Sequence, residues 1–128
     1  MTVEGQQIRP LILVAEDDDS NFKLIKAIIS KKCDILWAKN GEEMLQLYHE
    51  NKDRAAAILM DIKMPVMNGL IATKTLRDEG ATLPIIMQTA YAFTSDRENA
   101  MASGATEVLV KPITVSALRG CLKNYFPE

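Results

Sequence analysis

The stretch Ala56-Ala57-Ile58-Leu59-Met60-Asp61-Ile62-Lys63-Met64-Pro65 decides how the rest of the chain is read. An unbroken apolar run, Ala56 to Met60, meets a single carboxylate, Asp61, and Pro65 then halts any continuation. A short apolar run closed by a breaker reads as a strand buried on both faces, as in a parallel sheet. Asp61 then stands at the carboxyl end of that strand, where open α/β sheets place their ligands. An Asp after an apolar run is more often a helix cap or turn former, so its meaning depends on what the other strand ends carry.

Upstream, Leu11-Ile-Leu-Val-Ala15 is a second all-apolar run, and it ends in Glu16-Asp17-Asp18-Asp19. Adjacent acids repel one another. Asp18 or Asp19 suits the N-cap of the helix that follows, and acids suit a helix N-terminus. The remaining two call for a cation. That helix is expected over about 20–32, with Phe22, Ile25, Ile28 and Ile29 on one face and Lys23, Lys26 and Lys31 on the other. Residues 34–39 form a less purely apolar strand, suited to a position nearer an edge, and Asn40-Gly41 a turn before a helix over 42–51 with Met44, Leu45 and Tyr48 inward.

Downstream, Asn68 is expected to cap a helix of about 69–79, ended by Gly80. Leu83-Pro-Ile-Ile-Met87 reads as the fourth strand, with Pro84 acceptable at its start, and it leads into Gln88-Thr89-Ala90. Ser95 and Glu98 form a capping-box pattern for a helix to Ser103, closed by Gly104. Val108-Leu-Val110 is a fifth strand, leading into Lys111-Pro112. Thr114 caps a last helix, in which Val115, Leu118 and Leu122 share a face. The order βαβαβαβαβα, with these crossover lengths, predicts a doubly wound parallel sheet of the α/β class.

The whole chain fits one globular domain: 128 residues, 48% apolar and 25% charged. A formal charge of −2 offers no basic footprint for nucleic acid. No run reaches membrane-spanning length and the N-terminus lacks an apolar signal core, so a cytoplasmic domain is expected. Cys33 and Cys121 are too few for a disulfide framework or a metal cluster and read as core or half-buried thiols. His49, the single histidine, has no catalytic or ligand partner at usable spacing and is expected near the surface. Neither a Walker-type loop nor a G-x-G-x-x-G stretch occurs, which disfavours nucleotide binding.

Four of the five strands therefore end in a residue type that handles phosphate: the acids after the first, Asp61, Thr89 and Lys111. In a doubly wound sheet those ends converge on one crevice. Each has a bland alternative: a solvated cap for the acids, a backbone-bonded hydroxyl for Thr89, a surface ammonium for Lys111. Their coincidence favours a shared site. Glu16, Asp17 and Asp61 make a hard oxygen set suited to Mg²⁺ rather than zinc. A carboxylate can attack phosphorus to form an acyl phosphate, and Asp61, central and without an adjacent acid, is the best nucleophile. The metal and Lys111 would neutralise the equatorial oxygens during in-line transfer.

Glu16-Asp17, Asp61 with Met64-Pro65 and Gly69, Thr89-Ala90 and Lys111-Pro112 resemble the receiver (response-regulator) domains of two-component phosphorelays. The resemblance covers about residues 8–126, after a polar extension of residues 1–7. It implies a flavodoxin-like sheet of order 2-1-3-4-5, with Asp61 as phosphoacceptor. Glu16 and Asp17 match the acidic pair, Asp17 as a direct Mg²⁺ ligand and Glu16 acting mainly through water. Lys63 would give a backbone carbonyl to the metal. Thr89 matches the switch hydroxyl and Lys111 the phosphate-binding lysine, before a peptide bond that is usually cis in the family. Slow self-catalysed dephosphorylation is implied as well.

Glu16-Asp-x-x-x-Asn21, Met64-Pro-Val-Met-Asn-Gly with Ala72-Thr73, and Pro84-Ile-Ile-Met-Gln-Thr-Ala-Tyr-Ala look most like receivers of hybrid sensor histidine kinases. A C-terminal module of such a chain is the expectation, and a free-standing receiver the alternative. The implied donor is a histidine kinase dimerisation and phosphotransfer domain or a histidine phosphotransfer protein. Neither nucleic-acid nor membrane contact is implied, and the domain should be a monomer or weak dimer. Lys63 and Tyr91 sit where family members tune acyl-phosphate lifetime, and bulky Tyr91 is expected to hinder the hydrolytic water. Three residues before Lys111, where the family often has Tyr or Phe, stands Val108, so no aromatic switch coupled to Thr89 is expected. From a different class, a haloacid-dehalogenase-like phosphatase also uses an Asp nucleophile with Mg²⁺, but after the first strand, at Asp17 or Asp19.

Overall fold

The computed structural model describes residues 2–3, 6–7, 9–90 and 94–126. The central sheet has five parallel strands: β1 (Leu11–Ala15), β2 (Asp34–Ala38), β3 (Ala55–Asp61), β4 (Ile85–Thr89) and β5 (Glu107–Val110), in the order β2-β1-β3-β4-β5. Between and after them run α1 (Asp19–Ile29), α2 (Gly41–Asn51), α3 (Gly69–Asp78), α4 (Thr94–Ser103) and α5 (Val115–Lys123). Apart from the sheet, Thr2–Val3 pairs antiparallel with Gln6–Gln7. Among the described residues no helix is long and apolar enough to cross a membrane.

The apolar runs have two buried faces because the sheet has helices on both. Leu11, Leu13, Ala15, Ile58, Met60, Ile85 and Met87 pack with Met44, Ala72, Leu76 and Ala100 of α2, α3 and α4. Ile12, Val14, Ala57, Leu59 and Ile86 pack with Ile25, Ile28 and Ile29 of α1 and Leu118, Cys121 and Leu122 of α5. Alternate residues of one strand thus feed two cores, each large side chain contributing about 1.5–3 kcal/mol. The strand order reverses between β1 and β3, which opens the crevice at their carboxyl ends.

The less apolar β2 lies at an edge, as its sequence predicts. Both cysteines are buried and His49 is exposed, its Nε2 3.1 Å from the Glu79 carboxylate. Some boundaries differ. α1 stops at Ile29, where Cys33 N–H turns back to Ile29 O at 3.0 Å, and the Arg9 guanidinium takes up the carbonyls of Ser30, Lys31 and Cys33 beyond it. Gly41 belongs to α2: Asn40 is the N-cap, its Oδ1 accepting from Glu43 N–H at 2.8 Å. β4 begins at Ile85, since Pro84 has no N–H to donate, and extends through Gln88 to Thr89. α4 starts at Thr94, which puts Ser95 inside its first turn. Val115, expected on the buried face of α5, is 45% exposed, because the first turn of the helix projects past the core that covers Leu118 and Leu122.

Candidate functional site

β1 delivers Glu16 into the crevice. Its backbone N–H continues the ladder to Ala38 O at 2.9 Å, its side chain is 0% exposed, and its carbonyl accepts from Trp37 Nε1 at 2.7 Å. Trp37 is itself held by stacking on Phe22 of α1, with ring centroids 4.0 Å apart. Asp17 is exposed at the rim. Asp18 is the N-cap of α1, accepting from Asn21 N–H at 2.9 Å, so one of the acids has an ordinary capping role. The Asn21 side-chain amide hydrogen-bonds Glu16 Oε1 and lies 3.3 Å from Gln88 Oε1.

β3 delivers Asp61, 4% exposed. The chain then turns so that Gly69 N–H reaches Ile62 O at 2.8 Å, and α3 starts hard against the strand end. A Cβ at Gly69 would stand 2.1 Å from Asp61 O, so only glycine permits that approach. β4 delivers Thr89, buried, as its last residue. After β5, Lys111 N–H bonds to Thr89 O at 2.7 Å, the Lys111–Pro112 bond is cis as the resemblance implies, and Lys111 Nζ turns inward. It donates to Asp61 Oδ2 at 2.9 Å and lies 3.4 Å from Glu16 Oε1.

All six residues singled out from the sequence line one cavity of about 220 Å³: Glu16, Asp17, Asp61, Lys63, Thr89 and Lys111, with Asp18, Ile62 and Ala90. One carboxylate oxygen from each of Glu16, Asp17 and Asp61 lies within 4.8 Å of the others. Burial, and then the neighbouring Asp61 carboxyl, raise the pKa of Glu16 more than Asn21 and Lys111 lower it. Burial pulls the Lys111 ammonium down, but the hydrogen bond and charge of Asp61, with those of Glu16, outweigh it and raise its pKa. Crowded carboxylates of this kind fit a hard divalent cation, which would relieve their mutual repulsion. Tyr91 lies outside the described residues. Val108 is buried beside Met87 in the sheet, without an aromatic ring to switch. The Trp37 and Gln88 contacts were not foreseen from the sequence, since partners 21 and 67 residues away leave no local pattern.

A five-stranded parallel sheet in the order 2-1-3-4-5, with acids, a hydroxyl and an ammonium around its switch point, defines a flavodoxin-like fold of the receiver kind. Residues 12–123 match the family described as response regulator receiver domain, and the chain belongs to that family, the receiver domains of two-component systems. It is 42% identical to hybrid signal transduction histidine kinase I of Dictyostelium discoideum over 91% of its own length, and spans 7% of that kinase. It is 33% identical to the polar-differentiation response regulator DivK of Brucella anthropi, covering 91% of this chain and 96% of DivK. Among solved structures, it matches the complex of the Saccharomyces cerevisiae histidine phosphotransfer signaling protein Ypd1 with the receiver domain of its downstream response regulator Ssk1. The TM-score there is 0.85 at 27% identity, covering 91% of this chain and 88% of the matched one.

Proposed function

We propose that residues 8–126 are a phosphoacceptor receiver that takes a phosphoryl group from a phosphohistidine onto Asp61, with Mg²⁺, in the cytoplasm. The observation that carries this is Asp61 itself: a buried carboxylate at the switch point, held by Lys111 Nζ at 2.9 Å and flanked by the Glu16 and Asp17 carboxylates. An Asp61 oxygen attacks phosphorus, the P–N bond of the phosphohistidine breaks, and its electron pair leaves with the imidazole. Lys111 pairs with the transferred oxygens, and the Thr89 hydroxyl donates to one of them. Glu16, Asp17, Asp61 and the Lys63 carbonyl would hold the metal, which supplies charge neutralisation when bound. The added charge shifts a two-state equilibrium through Thr89 and the segment after it.

The donor is a kinase phosphotransfer domain or a histidine phosphotransfer protein, the class to which the Ypd1 of the matched complex belongs. The higher identity to a hybrid kinase favours a receiver module of such a chain, with a free-standing receiver, as DivK is by its coverage, the alternative. Incubation with acetyl phosphate and Mg²⁺, read by intact mass, tests the proposal. Wild type should gain one phosphoryl group, lost in Asp61→Asn and in the absence of Mg²⁺. Phosphorylation that survives Asp61→Asn but is lost in Asp17→Asn would overturn it in favour of the phosphatase-like arrangement.

A further inference from the structure

Gln88 is a polar residue in a place that packing alone would fill with an apolar one. It sits in the middle of the sheet, paired in register with Asp61 and followed by Thr89, and it is 0% exposed. Strand alternation puts it on the face of Ile86, which packs with Ile12, Val14 and Leu59. Its Nε2 has no hydrogen-bond partner among the described residues. A buried donor left unmet is a standing cost that Leu or Met would not incur. Among the described residues its side-chain Oε1 accepts from Asn21 Nδ2 at 3.3 Å.

Asn21 Nδ2 carries two hydrogens, and both are used, one toward Gln88 Oε1 and one toward Glu16 Oε1. Reversing the Asn21 amide would set its oxygen against the Glu16 and Gln88 oxygens, and reversing that of Gln88 would face N–H against N–H. The Gln88 and Glu16 oxygens together hold Asn21 in one orientation, and Asn21 in turn donates to a carboxylate of the acidic cluster. Other anchors of Glu16 are the Asp18 N–H, 3.2 Å from Oε2, and Lys111 Nζ. Outer hydrogen bonds that aim a ligating side chain govern metal affinity.

We propose that Gln88 is a positioning residue for the cation site, acting through Asn21 to set the carboxylate of Glu16. The proposal rests on the reading of Glu16, Asp17 and Asp61 as a Mg²⁺ site. Calorimetric titration of Mg²⁺ into wild type, Gln88→Met, Asn21→Ala and the double variant tests it, with thermal unfolding measured in metal-free buffer. Gln88→Met should weaken Mg²⁺ binding about 10-fold while its unfolding midpoint stays at or above that of wild type. In the Asn21→Ala background, Gln88→Met should cause no further loss, because its effect passes through Asn21. Affinity within about twofold of wild type, losses that multiply in the double variant, or a Gln88→Met chain that is less stable or does not fold would each overturn the proposal. Wild type that takes up no Mg²⁺ would overturn the site reading itself, a result distinct from equal binding by wild type and Gln88→Met.

Discussion

Lys111 Nζ lies between two buried carboxyl groups, 2.9 Å from Asp61 Oδ2 and 3.4 Å from Glu16 Oε1, so one ammonium serves both. The arrangement suits a site whose second cation arrives with the metal, and it makes the metal-free domain depend on the lysine.

Lys111→Met should therefore destabilise the metal-free domain by about 1–3 kcal/mol, since it leaves Glu16 and Asp61 buried without a cation. Asp61→Asn removes one of the two carboxyl groups and leaves Glu16 the ammonium to itself, so it should not lower stability. Urea unfolding in a chelating buffer compares the two. Equal losses in both variants would show that the Lys111–Asp61 pair itself, rather than relief of the crowded carboxyls, is what the lysine contributes.

The close approach of α3 to β3 yields a second prediction. At Gly69 a Cβ would meet Asp61 O at 2.1 Å and Met60 Cγ at 2.9 Å, and the backbone oxygen can move only with the strand end. Gly69→Ala should lower stability by about 1–3 kcal/mol and slow phosphorylation of Asp61 by acetyl phosphate. Gly120, in α5, has nothing within 4 Å of the same atom, and Gly120→Ala should stabilise by up to about 1 kcal/mol with phosphorylation unchanged.

Much of this architecture was legible because the informative residues are local. The apolar runs at Leu11–Ala15 and Ile58–Met60 announce strands with two buried faces, and the polar residues that close them announce the crevice. Caps were legible for the same reason: Asp18, Asn68 and Thr114 each accept an N–H three residues on. What escaped is long-range. Nothing near Arg9 signals that it bonds the carbonyls after α1 and pairs with Asp34, and nothing near Arg77 signals bonds to Gly104 O and Leu83 O. The outward turn of Val115 escaped because helical period fixes which way a residue faces, not whether anything covers it.

The two thiols should be inert while the domain is folded. Burial, and then the hydrogen bond from Sγ to Glu107 Oε2 at 3.1 Å, push the pKa of Cys121 up to about 12, and burial raises that of Cys33. At about pH 8 the thiolate fraction of Cys121 is lower than that of an ordinary thiol by about 10³-fold. Labelling with a disulfide reagent should be at least that much slower than in urea, where both should react. Rapid modification of native Cys121 would contradict the buried contact with Glu107.

Asp34 sets a pH dependence at the other end of the sheet. Hydrogen bonds from Arg9 Nε, at 2.9 Å, and from Arg54 hold its pKa below the ordinary 3.8. The unfolded chain therefore takes up the proton first as the pH falls, so stability rises with pH through this window. The contribution is fully present above 3.8 and is lost as the pH drops through the lower folded value. Asp34→Asn should lower the urea midpoint at neutral pH, and the gap to wild type should narrow as the pH falls below 3.8. Because the pair is at the surface, the neutral-pH gap should also narrow in high salt. Urea midpoints across that range, at low and high ionic strength, check both trends, and a gap that holds constant with pH would assign the effect to the geometry of the amide rather than the lost charge.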